Sequence, residues 1–298
     1  VRAKLSGVGV ALVTPFNKDG SLDIGGLERL VEYQINNGTN YLVVQGTTGE
    51  SATLSKEEKS KVLETVIKTN NSRLPIVFGI GGNNTQMIVD ALKQNDFSGV
   101  DAILSVSPYY NKPSQEGIYK HYKLLAENSP LPLILYNVPG RTSSNMSAST
   151  TLQLARSFEN IIGIKEASGD FEQITRILKE RPSDFLVTSG DDLLTLPLIA
   201  LGADGVVSVI ANAIPNKFSF LVHQAIDSNF KQARDTQYEM LNFINSAFQE
   251  GNPSGVKEML LHLGVCENTV RLPLVEVSQN LSLKIKELLT MANISYQQ

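Results

Sequence analysis

The chain has 298 residues, 42% of them hydrophobic and 19% charged, with a formal net charge of -4. That balance describes a globular protein with one large core or two smaller ones, and its mild acidity gives no concentrated basic surface for nucleic acid. A single cysteine, Cys266, excludes an intrachain disulfide or a thiolate metal cluster.

The start, "VRAKLSGVGVALVTPF", is basic and then apolar, but its apolar run is short and has no small-residue cleavage pattern. No stretch reaches the roughly 20 apolar residues that cross a bilayer. The expectation is a cytoplasmic protein without a membrane partner.

Eight short runs rich in Val, Ile and Leu then recur: "GVGVALVTPF", "NYLVVQGTTGE", "LPIVFGIGG", "DAILSVSPYY", "LPLILYNVPG", "IIGIKEASGD", "FLVTSGDD" and "GVVSVIAN". Nearly continuous apolar character, closed by Gly, Pro, Ser, Thr or Asn, is the mark of strands covered on both faces, as in parallel sheets. Helical patterns lie between them. Ser55 with Glu58 forms a capping box, and Val62, Leu63, Val66 and Ile67 then share one face. Ile118, Tyr122 and Leu125 give the stripe of a later helix. Eight such units at intervals of roughly 20–35 residues predict an α/β protein, a closed (β/α)8 TIM barrel.

An open doubly wound sheet is the alternative. Its dinucleotide loop would have to be "GIGGNN", where Asn84 stands at the third glycine position. The strand count ends near Asn212. We therefore expect a barrel over residues 1–225 and a C-terminal helical extension over 226–298, packed on the barrel, because no Pro/Gly/Ser-rich linker separates them.

A barrel gathers its working residues at the C-terminal ends of the strands. Those ends carry Thr47, Thr48, Tyr109, Tyr110, Tyr136, Arg141, Lys165, Ser189 and Asp191. Lysine in an apolar barrel mouth is desolvated, which favours the neutral amine, and neutral amines attack carbonyls. Lys165 thus reads either as a Schiff-base nucleophile or as half of a structural salt bridge. Glu166 is a poor partner for it, since adjacent strand residues face opposite ways.

Tyr136 is a proton carrier or a buried aromatic with a satisfied hydroxyl. "GTTGE" is a binding turn or a helix cap, and Arg141 a substrate ligand or a surface residue. His121, His223 and His262 lie far apart with no neighbouring ligand at metal spacing, and Asp191 and Asp192 are adjacent and diverge. No metal and no cofactor is expected.

Taken together and in order, "GTTGES", "SPYYNKPSQEG", "YNVPGRT", "GIKEASGD" and "RLPL" resemble the dihydrodipicolinate synthase family, within the pyruvate-dependent class I aldolase and N-acetylneuraminate lyase superfamily. The likeness runs from "GVGVALVTPF" to Leu274. It implies a lyase that condenses pyruvate with L-aspartate 4-semialdehyde to 4-hydroxy-tetrahydrodipicolinate, on the lysine and diaminopimelate route. By that resemblance Lys165 forms the imine, and Tyr136, Thr48 and Tyr110 form a proton relay. A phenol is a poor acid or base at neutral pH unless hydrogen bonds pass its proton onward.

Further matches by resemblance are Thr47 and Thr48 for the pyruvate carboxylate, Arg141 for the carboxylate of the second substrate, and Val207 for the pocket wall. Tyr110 would reach into a neighbouring subunit, in a homotetramer built as a dimer of dimers. The rivals are another pyruvate-dependent aldolase, acting on N-acetylneuraminate or a 2-keto-3-deoxy sugar acid, and a catalytically silent barrel.

Members of the family inhibited by lysine bind it at positions matching Ser51, Ala52, Lys56, Lys59, Asn83, Met87 and Tyr109. They commonly carry histidine at one or both positions matching Lys56 and Lys59, and glutamate at that of Met87. One unit-charge contact near 4 Å is worth roughly 4 kcal/mol at an effective dielectric of about 20, before desolvation. Losing that anion implies weak or absent feedback inhibition by lysine. A lysine titration of the reaction rate checks this, and strong inhibition at submillimolar lysine would contradict it.

Overall fold

Eight short strands alternate with helices along the chain: β1 (Gly7–Ala11), α1 (Ile24–Asn36), β2 (Tyr41–Val44), α2 (Lys56–Asn70), β3 (Ile76–Gly79), α3 (Thr85–Gln94), β4 (Ala102–Val106), α4 (Gln115–Asn128), β5 (Leu133–Asn137), the short α5 (Pro139–Thr142), α6 (Ala148–Ser157), β6 (Ile161–Glu166), α7 (Phe171–Glu180), β7 (Leu186–Ser189), α8 (Thr195–Ala200) and β8 (Gly205–Ser208). Then come α9 (Pro215–Ile226), α10 (Phe230–Phe248), α11 (Ser254–His262) and α12 (Gln279–Met291). The computed structural model describes residues 2–295. The first residue of the expected barrel and the last three of the expected extension lie outside the described residues.

The strands are parallel and close in sequence order, with β1 paired to both β2 and β8. Closure removes the open-sheet alternative. The "GIGGNN" stretch links β3 to α3, and the Asn84 side chain caps that helix by accepting from Gln86 N and Met87 N. The capping box of α2 is also present: Ser55 Oγ accepts from Glu58 N, and Glu58 Oε2 accepts from Ser55 N.

Two-residue alternation divides each strand between two environments. Inward side chains form one cluster that includes Tyr41, Val43, Val77, Leu104, Ile134, Tyr136, Leu186 and Val207. Outward ones join a larger cluster with the helices, and that cluster continues into α10, α11 and α12 through Met240, Phe243, Ile244, Met259, Leu260, Leu281 and Ile285. The later helices therefore share the apolar core of the barrel. Tyr41 lies across the interior next to Gly9, where a Cβ would come within 2.1 Å of its ring, so the residue there must be glycine.

The adjacent acids Asp191 and Asp192 diverge. Asp191 Oδ1 accepts from Leu193 N and Leu194 N, whereas Asp192 is buried and its Oδ2 accepts from Val209 N and Ile210 N just beyond β8. Burial pushes the Asp192 carboxyl up from an ordinary 3.8 to about 6, against the pull of those hydrogen bonds. The folded chain then holds this proton between about pH 4 and 6 while the unfolded chain releases it. Stability from this group is therefore full below about pH 4 and declines as pH rises toward 6, by about 3 kcal/mol. Asp192→Asn keeps an acceptor for the two N–H groups and removes the titration. Urea unfolding of both proteins between pH 4.5 and 7.5 should show the variant gaining on the wild type as pH rises, and parallel profiles would contradict the assignment.

Candidate active site

The sequence "GIKEA" fixes the centre of the site. On β6, Lys165 points inward and Glu166 outward. Glu166 accepts from Asn137 Nδ2, from Ser168 N at 2.7 Å and from Gln173 Nε2 at 3.1 Å, and burial raises its carboxyl above the usual range. Lys165, only 6% exposed, has no carboxylate within ion-pair distance among the described residues. Its amine instead sits over the Tyr136 ring, 4.2 Å from the centroid.

Register explains the meeting: Tyr136 on β5 pairs with Lys165 on β6, which pairs with Thr188 on β7. One glycine makes room for the lysine chain. A Cβ on Gly190 would come within 3.0 Å of Lys165 Cε and 2.5 Å of Ala167 Cβ.

The "GTTGE" segment forms a single 3-10 turn, Thr47–Gly49, after β2. Its closing bonds run from Gly49 N to Gly46 O and from Glu50 N to Thr47 O, which leaves the N–H groups of Thr47 and Thr48 outside the turn's ladder. Thr48 is buried and Thr47 exposed. Several elements hold the turn. Thr14 Oγ1 donates to Gly49 O at 2.6 Å, and Asn252 Nδ2 donates to Thr48 Oγ1 at 3.1 Å. Glu50, in the left-handed region at φ 50°, accepts from Lys257 Nζ at 2.6 Å and from Arg271 N at 2.9 Å. Burial lowers the pKa of the Lys257 amine, and Glu50 pulls it back up. Arg271 also pairs with Glu58 and holds that carboxyl down at about 2.

Val207 is buried on the inner face of β8. Arg141 lies exposed on α5, and its guanidinium has no ion-pair partner among the described residues. Tyr110 is 86% exposed at φ 73° and makes no hydrogen bond to Thr48 or Tyr136 within the chain. Among the described residues no hydrogen bond joins Thr48 to Tyr136 either. Ser189 Oγ donates to Asp191 O and so shapes its own turn. His121 meets Thr85, His223 meets Asn40, and His262 meets Glu258 and Ser282. Met87, at the position matching the effector pocket, is exposed.

Glu50, Gly190, Asn252 and Lys257 were not singled out by the sequence reading. Of the residues that hold the turn, only Glu50 in "GTTGE" and Arg271 in "RLPL" lie in motifs that the sequence marks.

The fold and this mouth define a (β/α)8 enzyme centred on a buried lysine and tyrosine. The family model described as the dihydrodipicolinate synthetase family matches residues 4–292, and the chain belongs to that family. It is 56% identical over 276 residues to the 4-hydroxy-tetrahydrodipicolinate synthase of Flavobacterium psychrophilum, covering 93% of this chain and 94% of that protein. Among solved structures it resembles a chloride-inhibited dihydrodipicolinate synthase of Acinetobacter baumannii complexed with pyruvate, with a TM-score of 0.94, 42% identity, and coverage of 97% and 99% of the two chains. A monomeric dihydrodipicolinate synthase variant gives a TM-score of 0.95 at 38% identity, covering 98% of each chain.

Proposed function

We infer that this enzyme condenses pyruvate with L-aspartate 4-semialdehyde to 4-hydroxy-tetrahydrodipicolinate, in lysine and diaminopimelate biosynthesis, through an imine on Lys165. The observation that carries the reading is the Lys165 amine, buried with no carboxylate partner among the described residues and set over Tyr136 in the barrel mouth. A lysine ion-paired for structure would have an acid beside it, and the adjacent Glu166 is engaged on the opposite face.

In this reading the amine attacks the ketone carbon of pyruvate and water leaves, giving a protonated imine. That cation accepts the electron pair when the methyl group loses a proton. The resulting enamine carbon bonds to the aldehyde carbon, and the aldehyde oxygen takes up a proton. The amino group of the second substrate then adds to the imine carbon and displaces the Lys165 amine, which closes the ring and frees the enzyme. Tyr136, beside the amine, carries protons to and from these atoms with Thr48 as its partner. Thr47 and Thr48 offer N–H and hydroxyl donors to the pyruvate carboxylate. Arg141, exposed and without an ion-pair partner among the described residues, offers a planar fork to the carboxylate of the second substrate. Val207 supplies apolar wall.

The partner subunit's Tyr110 completes the relay in a homotetramer built as a dimer of dimers. Support comes from Tyr110 itself: a large aromatic held at φ 73° is left 86% exposed in the single chain.

Two measurements test this reading. Purified enzyme should turn over pyruvate with aspartate semialdehyde far faster than it cleaves N-acetylneuraminate or 2-keto-3-deoxygluconate, and a preference for either sugar acid would reassign the second substrate. Mixing inactive Tyr110→Phe with inactive Lys165→Ala should restore activity, because each mixed dimer contains one site with both groups intact. Verified mixed dimers without activity would refute a shared site.

A further inference from the structure

The amides that bind Glu166 on the outside of β6 continue to a residue the reaction does not use, Asn145. Asn137 Nδ2 donates to Asn145 Oδ1 at 2.8 Å. Gln173 and Asn145 exchange two bonds, Asn145 Nδ2 to Gln173 Oε1 at 2.8 Å and Gln173 Nε2 to Asn145 Oδ1 at 3.3 Å. Gln115, from the "SQEG" stretch that opens α4, adds a third hold. Its Nε2 donates to Asn145 O at 2.7 Å, and its Oε1 accepts from Ser147 N at 3.0 Å.

Asn137 and Asn145 therefore stand at the two ends of one loop, residues 138–144, and bond to each other across its base. The short helix α5 and Arg141 lie inside that loop. Its turn is closed by Ser143 N donating to Pro139 O at 2.9 Å and Thr142 Oγ1 donating to Ser144 O at 2.7 Å. The first end grows out of β5 and inherits the register of that strand. The far end enters no strand, and it is fixed by the bonds to Asn145 and by Met146 N donating to Asn137 Oδ1 at 3.0 Å.

A guanidinium grips a carboxylate through two parallel N–H bonds, and that geometry tolerates little displacement. Arg141 has no ion-pair partner among the described residues, so the backbone beneath it sets its reach. A loop fastened at one end only would let that starting point wander. We infer that Asn145, held by Gln173 and Gln115, is a positioning residue for the second substrate, fixing the far end of the loop so that Arg141 meets the carboxylate in one place. This rests on the reading of Arg141 as the ligand of that carboxylate.

The test compares Asn145→Ala and Gln173→Ala, each alone and combined with Arg141→Ala, in steady-state kinetics with both substrates varied. Melting temperatures check folding. Each single variant should raise KM for aspartate semialdehyde on the order of 10-fold, below the roughly 10²-fold that a misplacement of about 1 Å can cost. KM for pyruvate and the rate of borohydride-trapped imine formation should stay at their wild-type values, because pyruvate reacts before Arg141 is engaged. A merely structural role would lower the amount of active enzyme and leave both KM values alone. With Arg141→Ala present, neither substitution should raise KM for aspartate semialdehyde further.

An unchanged KM for aspartate semialdehyde in Asn145→Ala, equal changes in both KM values, or increases that multiply with Arg141→Ala would each overturn the inference. Should Asn145→Ala fail to fold, Gln173→Ala, which leaves the bond between Asn137 and Asn145 in place, decides alone. An unchanged KM in Arg141→Ala itself would remove the reading of Arg141 and this inference with it. A raised KM in Arg141→Ala beside a wild-type KM in Asn145→Ala would remove this inference only.

Discussion

The period-two alternation of β6 is the constraint on which the rest depends. It sends Lys165 into the barrel and Glu166 out of it, so a lysine and a glutamate adjacent in sequence are kept on opposite faces of the strand. A slip of one residue would bury the carboxylate in the mouth and turn the amine toward the helices. The neighbouring strands hold the register: Tyr136 pairs with Lys165, and Asn137 with Glu166. Asn137 binds Glu166 on the outside while Tyr136 lies under the amine on the inside. Outside, the same network ties β5 to the following loop, since Asn137 Oδ1 accepts from Met146 N and Asn137 Nδ2 donates to Asn145 Oδ1.

The second support is remote in sequence. The turn carrying Thr47 and Thr48 sits on β2, but groups roughly 200 residues later secure it: Asn252, Lys257 and Arg271. Removing one partner of a buried ion pair leaves an uncompensated charge, typically a loss of about 3–5 kcal/mol. Here the ions also hold a loop in the left-handed region at Glu50, and so they bear on geometry as well as stability. The helices after β8 thus serve the mouth directly, besides covering the barrel's apolar surface.

Much of this was legible in the sequence. Eight apolar runs at regular spacing have one economical closure, and strand-end lysine, tyrosine and threonine stand where barrels place their chemistry. Ser55 and Glu58 announce their helix by spacing alone. What the sequence did not disclose depends on contacts between distant segments. Nothing local marks Lys257 as buried, because it sits in an amphipathic-looking stretch where a lysine ordinarily faces solvent. Gly190 is required only because the Lys165 side chain passes beside it. Asn252 gains meaning only when the chain entering α11 meets the turn after β2. Tyr110 shows the converse: the sequence marked it, and the single chain leaves it extended from the surface.

The central claim is that Lys165, buried and without an acid partner among the described residues, is the amine that engages pyruvate. Incubating the enzyme with pyruvate, reducing with borohydride and mapping the modified peptide by mass spectrometry tests it most directly. The account predicts one pyruvate-derived adduct, on the peptide containing Lys165, and none in Lys165→Ala. An adduct on another lysine, or no adduct in active enzyme, would contradict it.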